Sequence, residues 1–174
     1  MTASVAGIDF GGTATRFIIL GPGGPVSTRT IATAELGAGS TEKRLSRLAE
    51  TIQLLLPKGF ELRAIGIGAT GPVDRAKGIV HNIDTLPDFS DIPLVEDLHH
   101  RLDVPVVIDN DAVVAAVAEQ QMGAGRGAAR VLMVTLGTGI GAAMLIDGQP
   151  FRGSAGTHPE AGHIPSSAGE PACY

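Results

Sequence analysis

Aromatic side chains are scarce in this chain of 174 residues, which has five phenylalanines, one tyrosine and no tryptophan. A core must therefore be assembled from Val, Ile, Leu and Ala. Cysteine occurs once, which excludes an internal disulfide and fits a reducing compartment. Charge is thin as well, at 18% of residues with a net of −5. That balance argues against duplex DNA or a polybasic contact with a membrane surface. No run approaches the ~18 uninterrupted apolar residues of a membrane span. The opening stretch "MTASVAGIDF" lacks the basic and long apolar segments of a signal peptide. A Walker A loop, an internal repeat and a low-complexity tract are also missing. These absences leave a soluble, cytoplasmic α/β protein as the expectation.

Glycine is what the chain has in plenty, 24 of 174 residues, roughly twice the ~7% average. The glycines punctuate apolar runs. "VAGIDF", "ATRFIIL" and "VSTRTIA" read as three strands joined by the turns "GGT" and "GPGGP", an antiparallel meander. Leu45, Leu48, Ile52 and Leu55 then recur at helical spacing, which predicts a helix over 41–56 capped by Ser40 and stopped near Pro57. "LRAIGIGA" predicts a strand, "PLVEDLHHRL" a short helix, "VPVVID" a buried strand and "NDAVVAAVAEQQM" a helix at its end. "RVLMVTL" and "GAAMLID" predict two strands around "GTGI", with "DGQ" closing another hairpin. A second meander thus starts after the first unit ends. The expected division is a lobe over 1–109 and the start of a second over 110–174.

Two turns resemble each other, "DFGGT" at 9–13 and "LGTGIG" at 136–141. Successive backbone N–H groups in such a turn can cradle phosphate oxygens, with Thr13 or Thr138 adding a hydroxyl. Asp9 could hold Mg²⁺ through water, since hard cations take carboxylate oxygen. Taken alone, each turn is more readily a plain hairpin. Gly137, Gly139 and Ala142 also fit the letters of a dinucleotide fingerprint, but that pattern needs a helix directly after it. Asp147-Gly148 and Pro150 fall where that helix would lie. Asn110-Asp111 sits where a buried strand hands over to a helix, the place where α/β proteins set ligand groups. By itself it is more readily a helix cap.

In order along the chain, "GIDFGGTATR", "GIGATGPVD", "VIDNDAVVAA", "GAGRG", "VTLGTGIGAAML" and "GTHPEAGH" together resemble the ROK family (repressor, open reading frame, kinase) of actin-like sugar kinases. The resemblance implies an actin-like, ribonuclease H-like lobe with a mixed sheet, followed by the start of a second similar lobe. It implies ATP-dependent phosphorylation of a hexose or amino sugar, glucokinase- or fructokinase-like, although polyphosphate donors remain open. Asp9, Gly11, Gly12 and Thr13 would hold phosphate and Mg²⁺, with Arg16 keeping a positive charge where many members carry Lys. Gly137, Thr138 and Gly139 would hold phosphate from the other lobe. Asp111 would be the general base, with Asn110, Glu160 and His163 on the sugar hydroxyls and Gly71 lending backbone to the sugar pocket. No helix-turn-helix precedes the first strand, which favours the kinase branch over the repressors.

Departures from the family pattern are Arg16, Val113 in place of a common Asn, and Pro159 in place of a usual glycine. "HPE" is closer to the fructokinase-like branch, which leaves the sugar open. Members also continue into a zinc knuckle, of which His163 and Cys173 would be the first two ligands. Structural zinc takes four, so these two do not complete a site, and Cys173 reads as a free thiol near the chain's end. The expectation is the first half of a sugar kinase, inactive alone and a homodimer at full length. The rivals are a non-catalytic sugar sensor of the same fold and an actin-like ATPase that uses no sugar. Asp9 and Asp111 speak against the first, "HPEAGH" against the second.

Overall fold

A computed structural model describes residues 1–137, 139–154, 156–159, 162 and 164. The chain separates into two compact units, Met1–Asp111 and Ala112–Tyr174.

In the first unit, β1 (Thr2–Phe10), β2 (Ala14–Gly21) and β3 (Gly24–Ala32) form the expected antiparallel meander. A five-residue helix, α1 (Thr33–Gly37), and then α2 (Thr41–Leu55) follow. On α2, Leu45, Leu48 and Ile52 are buried, and Ser40 caps the helix by accepting the Lys43 N–H. Next come β4 (Phe60–Ala69), the short hairpin β5 (Val73–Asp74) and β6 (Ile79–Val80), α3 (Leu94–Leu102) and β7 (Val106–Asn110). α3 ends at Asp103, whose φ of 52° is left-handed and turns its N–H onto the His99 carbonyl. Arg101 ties α3 to α2 by pairing with Asp97 and Glu42 at 2.6 and 2.8 Å. The two carboxylates hold its guanidinium above the ordinary arginine pKa.

The main sheet has the order β3-β2-β1-β4-β7, antiparallel on one side of β1 and parallel on the other. Its core draws on Ile8, Phe10, Phe17, Ile19, Ile65 and Ile67 from the sheet and on Leu48, Ile52, Leu94 and Leu98 from the helices. The few aromatics are used economically: Phe10 and Phe89 meet edge to face with centroids 4.7 Å apart. In the parallel half, Phe10, Ala69 and Asn110 lie side by side across β1, β4 and β7. The residues that follow each strand therefore emerge at one edge, the carboxyl end where open α/β sheets bind ligands.

α4 (Asp111–Met122) begins at the last residue of the first unit, and in the second unit it is followed by an antiparallel sheet of β8 (Arg130–Leu136), β9 (Ile140–Ile146) and β10 (Gln149–Pro150). Ala112, Val113 and Ala116 of α4 pack on Ala143 and Leu145. The opposite face of the sheet leaves Leu132, Val134, Leu136 and Ile140 exposed. Asp147 and Gly148 both have positive φ, 49° and 78°, as a two-residue hairpin turn requires. The strand β9 after "GTG" removes the dinucleotide fingerprint, which needs a helix there. The α1 helix, the β5–β6 hairpin and a 3₁₀ turn at Pro87–Phe89 are additions to the expected order. Each is too short for a hydrophobic period to develop.

Candidate active site

The first glycine turn joins β1 to β2 and is braced by Thr33 at the start of α1. Thr33 Oγ1 donates to the Gly11 carbonyl at 2.6 Å, and the Thr33 N–H donates to the Thr13 carbonyl at 3.1 Å. Thr15 Oγ1 lies 2.9 Å from Thr33 Oγ1. Because a carbonyl can only accept, the Thr33 proton is committed to Gly11, and Thr15 must donate to Thr33. Gly12 packs on the 84–89 segment, so closely that a Cβ would stand 2.8 Å from the Thr85 carbonyl oxygen. Asp9 and Arg16, directly opposite across the two strands, pair at 2.7 Å with both side chains more than half exposed. This exposed carboxylate beside a glycine turn fits a magnesium–phosphate group, since Mg²⁺ is commonly held by one or two carboxylates and the phosphates themselves.

A second cluster forms where β4 and β7 end. The Thr70 hydroxyl donates to Asp111 Oδ2 at 3.3 Å. Gly71, joined to Pro72 by a cis peptide, lies against Asn110, where a Cβ would come within 2.9 Å of the Asn110 amide nitrogen. Asn82 is buried and clamps the same corner. Its Nδ2 donates to the carbonyls of Thr70 and Gly71 at 3.3 and 2.7 Å, and its Oδ1 accepts the Thr85 N–H at 2.9 Å. Gly71, Asn110 and Asp111 are thus brought together, and Thr85 links their corner to the first glycine turn through Gly12.

Asp109, one residue before the pair, is otherwise engaged. Its Oδ2 pairs with Arg75 at 2.9 Å, and its Oδ1 accepts the Asn110 N–H at 2.8 Å. Its side chain is tied to the strand's own surroundings.

In the second unit the Gly137 N–H donates to the Gly139 carbonyl at 3.0 Å, and among the described residues nothing lies within 4 Å of an added Cβ at Gly137. Thr138, Glu160, His163 and Cys173 lie outside the described residues. Among the described residues no group of three or more His, Cys, Asp or Glu side chains is placed to hold a metal ion. No helix among them is long and apolar enough to cross a membrane.

Sequence reasoning passed over Thr33, Thr70 and Asn82. Thr70 stood inside a quoted motif, "GIGATGPVD", but its meaning depends on Asp111, far along the chain. Asn82 sits in "HNIDTLPD", which reads as loop, and nothing in those letters marks one polar residue above the rest.

Comparisons with known proteins bear on the family and the fold. The glucokinase of Thermotoga maritima is 34% identical over 167 residues, covering 96% of this chain and 52% of its own length. The crystal structure of a ROK hexokinase from Thermus thermophilus superposes with a TM-score of 0.81 at 32% identity, over 98% of this chain and 56% of that one. A ROK family glucokinase from Streptomyces griseus, solved with glucose and AMPPNP, gives a TM-score of 0.76 at 33% identity, over 94% of this chain and 51% of that one. The chain therefore spans about half the length of the relatives it matches, and its mixed sheet is that of the actin-like sugar kinases. The sequence profile of the ROK family matches residues 5–174, and the chain belongs to that family.

Proposed function

We propose that this chain is the sugar-binding and catalytic-base half of an ATP-dependent kinase for a hexose or amino sugar, with glucose the first candidate. The observation that carries the reading is the corner at the carboxyl edge of the sheet, where Asp111, Asn110 and Gly71 meet beside the first glycine turn. Family membership and the glucokinase relatives support it.

A sugar hydroxyl is a weak nucleophile until its proton is drawn away. Asp111 accepts that proton, and Asn110 and the Gly71 backbone orient the ring. Backbone N–H groups of the Gly11–Thr13 turn would hold phosphate oxygens, and Asp9 would hold Mg²⁺, with Arg16 beside it. Gly137, Thr138 and Gly139 are assigned to phosphate as well. Glu160 and His163 are assigned to the sugar hydroxyls. His163 and Cys173 are assigned as two of four ligands of a structural zinc ion. Bound ATP supplies the phosphoryl group, and such transfer asks the protein chiefly for positioning and charge stabilisation. The reaction belongs in the cytoplasm, where ATP is abundant.

Sugar-dependent ADP release, followed over a panel of hexoses and amino sugars, tests the reading in a protein extended to the length of the glucokinase relatives. Asp111→Asn should fold normally, still bind sugar and lose ~10²–10⁴ in kcat, the usual contribution of a general base. Asp109→Asn should keep far more of the turnover. An Asp111→Asn enzyme within a few-fold of the parent places the base elsewhere, and sugar binding without any ADP release favours the sensor.

A further inference from the structure

We propose that Thr70 is a positioning residue for Asp111 and that Asn82 is what holds Thr70 to the task. The inference rests on Asp111 acting as the base. A carboxylate on an aspartate turns easily, because the torsion that sets its plane is broad and nearly two-fold. A base has to present one oxygen to the substrate hydroxyl within hydrogen-bond reach. The Thr70 hydroxyl donates to Oδ2, and a directional bond to one oxygen fixes the plane that sets the other.

Thr70 can do this because it is itself held. Its β-branched side chain is stiff at χ1. Its N–H donates to the Phe10 carbonyl at 3.2 Å, tying it to the end of β1. Its carbonyl and the next one both accept from Asn82 Nδ2, and Asn82 Oδ1 is committed to the Thr85 N–H. An amide is the side chain for that place, since it must donate to two carbonyls and accept from one N–H at once. An aspartate of the same shape would set carboxylate oxygens against carbonyl oxygens. The chain of contacts therefore runs from the first glycine turn through Thr85, Asn82 and Thr70 to the base.

The test compares Thr70→Val, Thr70→Ser and Asp111→Asn in a protein extended to the length of the glucokinase relatives, with glucose as substrate and circular dichroism to confirm folding. Thr70→Val, which keeps the shape and removes the donor, should lower kcat about 10-fold while the glucose KM stays within about 2-fold, the signature of a contact that matters only in the transition state. Calorimetric glucose affinity should be unchanged. Thr70→Ser should restore most of the turnover. In an Asp111→Asn background Thr70→Val should cost nothing further, because residues acting through one group are not additive. Parental kcat in Thr70→Val beside a crippled Asp111→Asn overturns the proposal and leaves the base assignment standing. A raised KM at unchanged kcat overturns it by making Thr70 a sugar contact, and an additive loss in the double variant overturns it by making the effect structural. If Asp111→Asn itself turns over like the parent, the base assignment falls and takes this proposal with it.

Discussion

The turn at 11–13 is held from two sides, by Thr33 through the carbonyls of Gly11 and Thr13 and by the Thr85 carbonyl pressed on Gly12. At 137–139 the letters are nearly the same, yet among the described residues nothing lies within 4 Å of an added Cβ at Gly137. The comparison separates two reasons for a glycine. At Gly12 the fold already demands one, since any side chain would collide with backbone. At Gly137 the described residues make no such demand. The turn with the more crowded surroundings is therefore the weaker witness to a ligand.

The sharpest way to break the comparison is Gly12→Ala. Its Cβ would stand 2.8 Å from the Thr85 oxygen, and forcing atoms into a packed place costs about 1–3 kcal/mol. Urea unfolding should show that loss as a lower midpoint, and an unchanged midpoint would mean that the 84–89 segment yields. Thr33→Val comes next. It strips the Gly11 carbonyl of its partner and leaves the buried Thr15 hydroxyl without its acceptor. A stranded buried group of this kind costs about 1–2 kcal/mol, read in the same titration.

A smaller effect comes from the loop that carries Thr85. Its base is closed by the Val80–Ser90 bridge, by the Asp91 N–H on the Val80 carbonyl and by a short hydrogen bond between His81 and Asp91. That bond to His81, with a second from Ser90, holds the Asp91 carboxyl below its ordinary value. Stability from such a group is complete above the unfolded carboxyl pKa, ~3.9, and drains away as pH falls through the lower folded value. Asp91→Asn should flatten the acid limb of a stability–pH curve, only slightly because the pair is exposed. The smallest change is expected for Gly137→Ala, within about 0.5 kcal/mol as for surface positions generally. A larger loss in thermal unfolding would show that the second turn is braced after all.

The sequence made the frame of the fold legible. Leu45, Leu48 and Ile52 announced α2 through their helical spacing, and apolar runs broken by glycine turns announced the meander. It also drew attention to Asn110-Asp111 through the strand-to-helix junction. Thr33, Thr70 and Asn82 stayed hidden for a different reason. Each acts on residues that the sheet brings close and the sequence keeps apart, Thr33 on Gly11, Thr70 on Asp111 and Asn82 on Gly71. No spacing rule reaches across such distances. The same holds for Gly12, whose letter suggested a ligand and whose surroundings supply a second reason.

The row of Phe10, Ala69 and Asn110 has a consequence for how the molecule is made. β2 and β3 follow β1 directly and can pair with it as soon as they exist. β4 joins β1 only after the whole of α2 has been laid down, and β7 arrives later still. Parallel pairs across such stretches close slowly, because the entropy of the intervening chain is spent before the contact forms. A nascent chain that has reached only α2 thus carries β1 with one edge unpaired, an open template for a neighbouring polypeptide. Asp111 follows the last strand of the row, so the proposed base takes its place only when the slowest closure is done. Pausing or crowding on the ribosome before β7 emerges should therefore be felt as aggregation of the growing chain.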